Sequence, residues 1–289
     1  MRILFTGGGG VGSEALWKIL NKKYTLFFAD AVLDNIDKSI PIDSRIEIAF
    51  ANSKNYLESI KSVCDKNEID LIVPGVDEEL MQFDSFLNKG VTEVFLPNKN
   101  FVRIMLDKYT CAKAIKFTGL NGPKTLAVDG ASKIGFPLIV KPKIGRGSRG
   151  VRIINSLKEL NAYKILYPTN EEDLIVQELA IGTEYTVLVS ANKKGQLNAI
   201  IPVKVDQKKG ITIQARIDMN NLIIEYAKKF HSYYRTSGIY NIQCILTQSG
   251  AVYPFEINPR ISTTFCLSVA AGFDPFELYF NETSEKELF

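Results

Sequence analysis

Three oxygen-bearing side chains and an arginine fall within the segment IYNIQCILTQSGAVYPFEINPR, residues 239–260. Two strand-like runs flank Ser249-Gly250, read as a two-residue hairpin turn. With that turn Gln248 faces Ala251, and counting back sets Gln243 opposite Glu256. Side chains alternate along a strand, so Glu256 and Asn258 share one face while Phe255 and Ile257 take the other. Opposed Cβ atoms in a ladder lie roughly 4.5–5.5 Å apart. Gln243, Glu256 and Asn258 are therefore expected on one patch, with Arg260 just past Pro259. Oxygen donors beside a guanidinium suit a hard cation such as Mg²⁺ in the company of phosphates. Without a ligand, the same pattern is only a polar sheet face.

A second constellation is LIVKPKIGRGSRGV. Lys141 ends an apolar strand, a costly place for an ammonium without a partner. Gly145, Gly147 and Gly150 let backbone N–H groups wrap an anion, and Ser148 adds a hydroxyl. This is not a Walker A loop, because no Gly-Lys-Ser/Thr opens a helix. In VQELAIGTEYTV, a strand feeds Glu178-Leu179, a glycine turn follows, and Glu184 opens the next strand. A linker of that kind leaves amides free for a nucleotide base, and Glu184 could accept ribose hydroxyls. The bland alternatives are a hairpin loop and an ordinary connection.

GGGGVGSEAL, directly after the apolar run Ile3–Phe5, carries G-x-G-x-x-G at Gly7, Gly9 and Gly12, with Asp30 at the end of the next strand. This allows an NAD(P)-binding oxidoreductase, although the pattern alone is weak. That reading leaves the downstream lysines and carboxylate without a use.

The elements that must hold these residues change character along the chain. Up to about residue 98, strands (Ile3–Thr6, Thr25–Ala29, 45–50, IDLIVPG, VTEVFLP) alternate with helices. Those helices cover 12–21, Asn55–Lys66 (Leu57, Ile60 and Val63 on one face) and 76–90, as in a parallel sheet with helices on both faces. Next come two helical pieces joined near Asp107, then mostly strands, a helix running to Gly238, and the hairpin. The tail NETSEKELF is polar and expected to fray.

A chain of 289 residues with 46% hydrophobic content supports two or three packed lobes. A net charge of +3 does not point to nucleic acid, and no apolar run approaches the roughly 18 residues of a membrane span. Four separated cysteines without C-x-x-C, and no visible secretion signal, lead us to expect a cytoplasmic protein with reduced thiols. The single histidine, His231, sits among aromatics and reads as a packing or surface residue.

Residues 98–276 resemble the ATP-grasp enzymes, most closely the carbamoyl-phosphate-synthase-like branch and the small carboxylate–amine ligases. The motifs DKYTCAK, LIVKP, GRGSRGV, VQELAIGTEYTV, NIQ and FEINPR stand in the family's order. The resemblance implies an α/β and α+β architecture. A Rossmann-like pre-ATP-grasp domain (1–98) precedes a two-lobed ATP-grasp fold, with linker helices and the small lobe at 99–178 and the large lobe at 179–289. It implies ATP and Mg²⁺ as cofactors. Lys108 and Lys141 would meet the phosphates, and Gly145, Gly147, Ser148 and Gly150 would form the flap. Glu178 and Leu179 would sit by the adenine and Glu184 at the ribose, with Lys204 a looser candidate. Gln243, Glu256 and Asn258 would hold magnesium. Arg260, with Lys141, would steady the transferred phosphoryl group. The interval from Leu179 to Glu184 is shorter than in the synthase, and the chain has one grasp module where the synthase has two. The expected activity is ATP-dependent ligation of a small carboxylate to an amine through an acyl phosphate, releasing ADP; the alternatives are the oxidoreductase and a degenerate nucleotide-binding module. Partners are small molecules, not nucleic acid or membrane, and a homodimer is allowed. Arg216 is a candidate for a substrate carboxylate, and the first glycine turn would shape the acceptor cleft.

Overall fold

The computed structural model describes residues 1–83, 92–167 and 169–280. The first sheet is parallel, with strand order β3-β2-β1-β4-β5. Its strands are β1 (Arg2–Thr6), β2 (Thr25–Asp30), β3 (Arg45–Glu47), β4 (Leu71–Val73) and β5 (Glu93–Val94). Ile3, Leu4, Leu71, Ile72 and Val73 are wholly buried, as expected of central parallel strands covered on both faces.

Helices α1 (Ser13–Leu20) and α2 (Tyr56–Asn67) belong to this lobe. The buried stripe of α2 is Tyr56, Ile60 and Cys64, one step round from the expected Leu57–Ile60–Val63 face. A polar tether accounts for the rotation: the Tyr56 hydroxyl donates to the buried Glu79 carboxylate. The helix expected over 76–90 opens with a 3₁₀ turn at Asp77–Glu79, and residues 84–91 lie outside the described residues, as does the tail beyond Phe280.

Two short helices follow, α3 (Lys99–Leu106) and α4 (Lys108–Phe117). Asn98 caps the first through Phe101 N (2.9 Å), and Asp107 caps the second through Thr110 N (2.7 Å). Their apolar faces (Phe101, Met105, Cys111, Ile115) share a core with Tyr185, Val187 and Ile242 of the third sheet.

The second sheet is antiparallel, ordered β6-β9-β7-β8: β6 (Thr125–Ala127), β7 (Leu138–Pro142), β8 (Arg152–Ile154) and β9 (Leu174–Glu178). Helix α5 (Leu157–Leu166) closes its small core through Leu160 and Tyr163. The third sheet is also antiparallel, ordered β12-β11-β10-β13-β14: β10 (Gly182–Ala191), β11 (Leu197–Lys209), β12 (Ile211–Ile217), β13 (Gly238–Thr247) and β14 (Val252–Asn258).

Helix α6 (Asn221–Tyr234) buries Ile223, Ala227 and Phe230 in the core it shares with this sheet. It ends at Arg235 in a left-handed conformation (φ 44°), before the expected Gly238. Gly238 is needed for a different reason. A Cβ there would stand 2.5 Å from the Leu96 carbonyl carbon, so only glycine admits the chain leaving β5. His231 is buried, between the Tyr240 hydroxyl (3.1 Å) and the Gly195 carbonyl (3.0 Å), and burial pulls its pKa down. All four cysteines are free. Helices α7 (Phe265–Ala270) and α8 (Pro275–Phe280) return to the first lobe, where Phe276 packs edge-on to Phe5, Tyr24 and Phe95. Among the described residues, no helix is long and apolar enough to cross a membrane.

Candidate active site

The β13–β14 ladder brings Gln243 opposite Glu256 and Asn241 opposite Asn258. Two departures from the expected hairpin cancel. Thr247, not Gln248, bonds to Ala251, which makes the turn one residue longer than read from the sequence. An irregularity between Gln243 and Cys244 then restores the register. Gln243, Glu256 and Asn258 line one cavity of about 350 Å³ between the second and third sheets.

Lys108, Lys141, Gly145, Gly147, Ser148, Glu178, Leu179, Glu184 and Arg260 line the same cavity. Two predicted residues do not. Gly150 lies at the root of the loop, where a Cβ would meet the Tyr167 ring at 2.5 Å, and its carbonyl accepts the Tyr163 hydroxyl (2.7 Å). Lys204 pairs with Tyr185, which turns it to the face of the sheet opposite Glu184 and Thr186. The lysine that does reach the cavity from this strand is Lys208, ion-paired to Glu184 at 2.5 Å. Register shifts between Val205 and Lys208 separate the two, so simple alternation along the strand does not single out Lys208. Arg216 is paired with Asp206 (2.6 Å).

On the cavity floor, Lys108 Nζ stands 3.2 Å from Glu256 Oε1 and donates to the Gly145 carbonyl (2.6 Å). Lys141, 3% exposed, donates to Gln177 Oε1 (2.8 Å) and to the Phe255 carbonyl (2.9 Å). Burial pulls its pKa from 10.5 down to about 8; the Glu256 carboxylate opposes that shift and the Lys108 ammonium adds to it. Two buried ammonium groups thus share one nearby carboxylate, an excess of positive charge that a polyanion would relieve. Glu178 Oε2 accepts from Lys124 N (3.1 Å), and Glu178, Leu179 and Ala180 line the cavity at this edge.

Arg260 lines this cavity and also a smaller one of about 90 Å³, bounded by the first glycine turn, Gly75 and Ser262–Thr263. Its Nε donates to Asp77 of the first lobe and its Nη1 to the Ile261 carbonyl (2.8 Å). Asn241 Nδ2 holds its carbonyl at 2.5 Å. Sequence reading missed Asp77, Gln177, Asn241 and Lys208. Only Asn241 carried a signal, through its register opposite Asn258.

The glycine turn does not offer a dinucleotide cradle. The Asp30 carboxylate accepts from Gly9 N (3.0 Å) and Val32 N (3.1 Å), and a Cβ on Gly9 would meet Asn35 Cβ at 2.5 Å. The carboxylate an NAD ribose would need braces its own loop, with one backbone N–H on each oxygen. Among the described residues, no group of three or more His, Cys, Asp and Glu could hold a metal. An ion on Gln243, Glu256 and Asn258 would therefore rest on one carboxylate and two amides, the sparse donor set of a Mg²⁺ that also takes phosphate oxygens.

Residues 105–264 match the family described as the ATP-grasp domain, and the chain belongs to that family. A formate-dependent phosphoribosylglycinamide formyltransferase of Bacteroides thetaiotaomicron is 26% identical over 246 residues, covering 77% of this chain and 62% of the relative. That of Bacteroides fragilis is 25% identical over 304 aligned positions, 96% of this chain and 76% of the relative. The carbamoyl phosphate synthase large chain of Caldanaerobacter subterraneus is 25% identical, matching 75% of this chain but 22% of its own length. In fold, the biotin carboxylase of Campylobacter jejuni, solved with β-γ-ATP, superposes with a TM-score of 0.74 at 16% identity, covering 99% of this chain and 72% of that one.

Proposed function

We propose that the protein is an ADP-forming ligase that joins a small carboxylate to an amine, with Mg-ATP as phosphoryl donor. The observation that carries this reading is the cavity floor, where Lys108, Lys141 and Glu256 meet beneath an open glycine loop. A carboxylate oxygen attacks the γ-phosphorus, the bond to the β-phosphate oxygen breaks, and ADP leaves with an acyl phosphate formed. The amine nitrogen then attacks the acyl carbon, inorganic phosphate departs, and the amine loses a proton. Such chemistry needs positioning and charge neutralisation rather than a protein nucleophile.

Lys108 and Lys141 would hold phosphate oxygens and Arg260 the transferred phosphoryl group. Gln243, Glu256 and Asn258 would hold Mg²⁺, which neutralises charge on the phosphates when bound. Glu178–Leu179 backbone would meet the adenine. Glu184 would take the ribose hydroxyls once Lys208 gives way. Gly145, Gly147 and Ser148 would cover the phosphates and exclude water. Four free cysteines suit a reducing, cytoplasmic setting.

The test is ADP release by the full chain with Mg-ATP and pooled carboxylates and amines. Glu256→Ala should lower turnover by at least about 100-fold, the scale of losing one electrostatic contact in a closed site. It should leave the circular dichroism spectrum unchanged. Wild-type turnover in Glu256→Ala refutes the assignment, and stabilisation by NADH without any by Mg-ATP refutes the function.

A further inference from the structure

Arg260 is gripped from two lobes. Its backbone belongs to the large lobe, where the buried Asn241 holds the Arg260 carbonyl and accepts from the Ser262 hydroxyl at 3.1 Å. Its guanidinium reaches the first lobe, where Asp77 takes the Nε hydrogen. Both side chains of the pair are largely buried, 15% exposed for Arg260 and 16% for Asp77. A guanidinium has five N–H donors in a fixed plane. Asp77 and the Ile261 carbonyl occupy the Nε side and Nη1, and Nη2 has no partner among the described residues. The uncommitted edge of the fork belongs to a residue that borders both cavities, the larger under the glycine loop and the smaller beside Gly7–Gly12.

The turn that carries Asp77 is itself braced. Glu79 is 1% exposed; its Oε1 accepts from Gly75 N (3.0 Å), Val76 N (2.9 Å) and the Thr6 hydroxyl (2.6 Å), and its other oxygen from Tyr56. Four donors on one carboxylate fix the 75–79 backbone to β1 and α2. Asp77 is therefore presented from a rigid base, not from a loop free to follow Arg260. The neighbouring Glu78 meets Arg146 of the glycine loop at 3.3 Å, an exposed pair of little weight by itself.

We propose that Asp77 is the positioning residue for Arg260, setting the plane of its guanidinium so that the free edge stands at the junction of the two cavities, where an acyl phosphate would pass from the nucleotide to the amine. This rests on the ligase reading above. It adds that the first lobe takes part in the chemistry through one carboxylate that does not touch the nucleotide.

The experiment has two readouts on the full-length protein. The first needs no substrate: phenylglyoxal modifies accessible arginines, and peptide mass spectrometry follows Arg260. Wild-type Arg260, whose Nη1 is held by the Ile261 carbonyl and Nε by Asp77, should react slowly, Asp77→Asn should react faster, and Asp77→Glu should restore most of that protection. The second is ADP release with Mg-ATP and the pooled carboxylates and amines. Asp77→Asn should lower kcat on the order of 10- to 100-fold, the cost of a misplaced group, with KM for Mg-ATP unchanged. In an Arg260→Lys background the same substitution should cost nothing further, because Asp77 acts only through the guanidinium. Wild-type protection together with wild-type kcat in Asp77→Asn overturns the proposal, and so does a full additional loss in the Arg260→Lys background. A wild-type protein that neither binds Mg-ATP nor releases ADP overturns the ligase reading instead, while the phenylglyoxal readout still decides whether Asp77 holds Arg260. If Asp77→Asn does not fold, Asp77→Ala, alone and in the Arg260→Lys background, carries the same comparisons.

Discussion

Two glycine-rich loops in this chain look alike on paper and are built for opposite ends. In the first, Gly7–Gly12, neighbours stand too close for a side chain at Gly8 (Phe28 and Ala29) and Gly9 (Asn35), while Gly7 and Gly12 take positive φ (63° and 101°) against packed neighbours. In the second, Gly145 and Gly147 take left-handed or otherwise positive φ (145° and 64°), and a Cβ there would meet nothing within 4 Å. One loop is packed into the fold, and the other is held open above a charged floor. A glycine pattern reports that side chains are excluded; it does not say whether protein or ligand excludes them.

The contrast can be broken at its strongest point with Gly9→Ala. The new methyl would collide with Asn35 Cβ and the Asp30 carboxylate, and overpacking of this kind costs about 2–3 kcal/mol. Urea denaturation should show that loss; a wild-type midpoint would mean the first loop is as open as the second. The next effect lies under the open loop. Lys141, with its pKa near 8 in the free protein, is charged at pH 7 both before and after a triphosphate arrives. A bound polyanion raises that pKa, so above pH 8 binding must take up a proton and weakens as pH rises. At pH 9 the Mg-ATP affinity should be about tenfold lower than at pH 7, one pKa unit of linkage. Titration calorimetry in buffers of different ionisation enthalpy should show proton uptake at pH 9 and none at pH 7. The smallest effect is Gly147→Ala, where the strain of a left-handed alanine is about 1 kcal/mol and no neighbour is displaced. Its melting temperature should barely move, while ADP release slows through the altered flap. A large loss of stability would place the second loop with the first.

What the sequence disclosed follows the range of the forces involved. The parallel first sheet and the patch of Gln243, Glu256 and Asn258 come from alternation and local turn chemistry, which a short window of residues carries, whereas the two antiparallel sheets were legible as lobes only through the family resemblance. The hairpin arrived at the right pairing through a longer turn and a compensating irregularity, so its legibility was partly fortunate. Lys208 was hidden because irregular register, not alternation, turns it inward where Lys204 faces away. Tyr56 displaced Leu57 on the buried stripe because its hydroxyl had a carboxylate to meet 23 residues on. Asp77 had no signal at all, since its partner lies 183 residues away and nothing local marks the acid.

The return of α7 and α8 to the first lobe means that a boundary drawn in sequence near residue 98 is not a fault line in space. Phe5, Tyr24 and Phe95 complete their aromatic cluster with Phe276, supplied from the other end of the described chain. Cutting the polypeptide after the fifth strand would therefore not liberate a tidy fragment but bare a greasy wall. Anyone dissecting this protein should expect the pieces to cling together after the nick, and to need each other in solution.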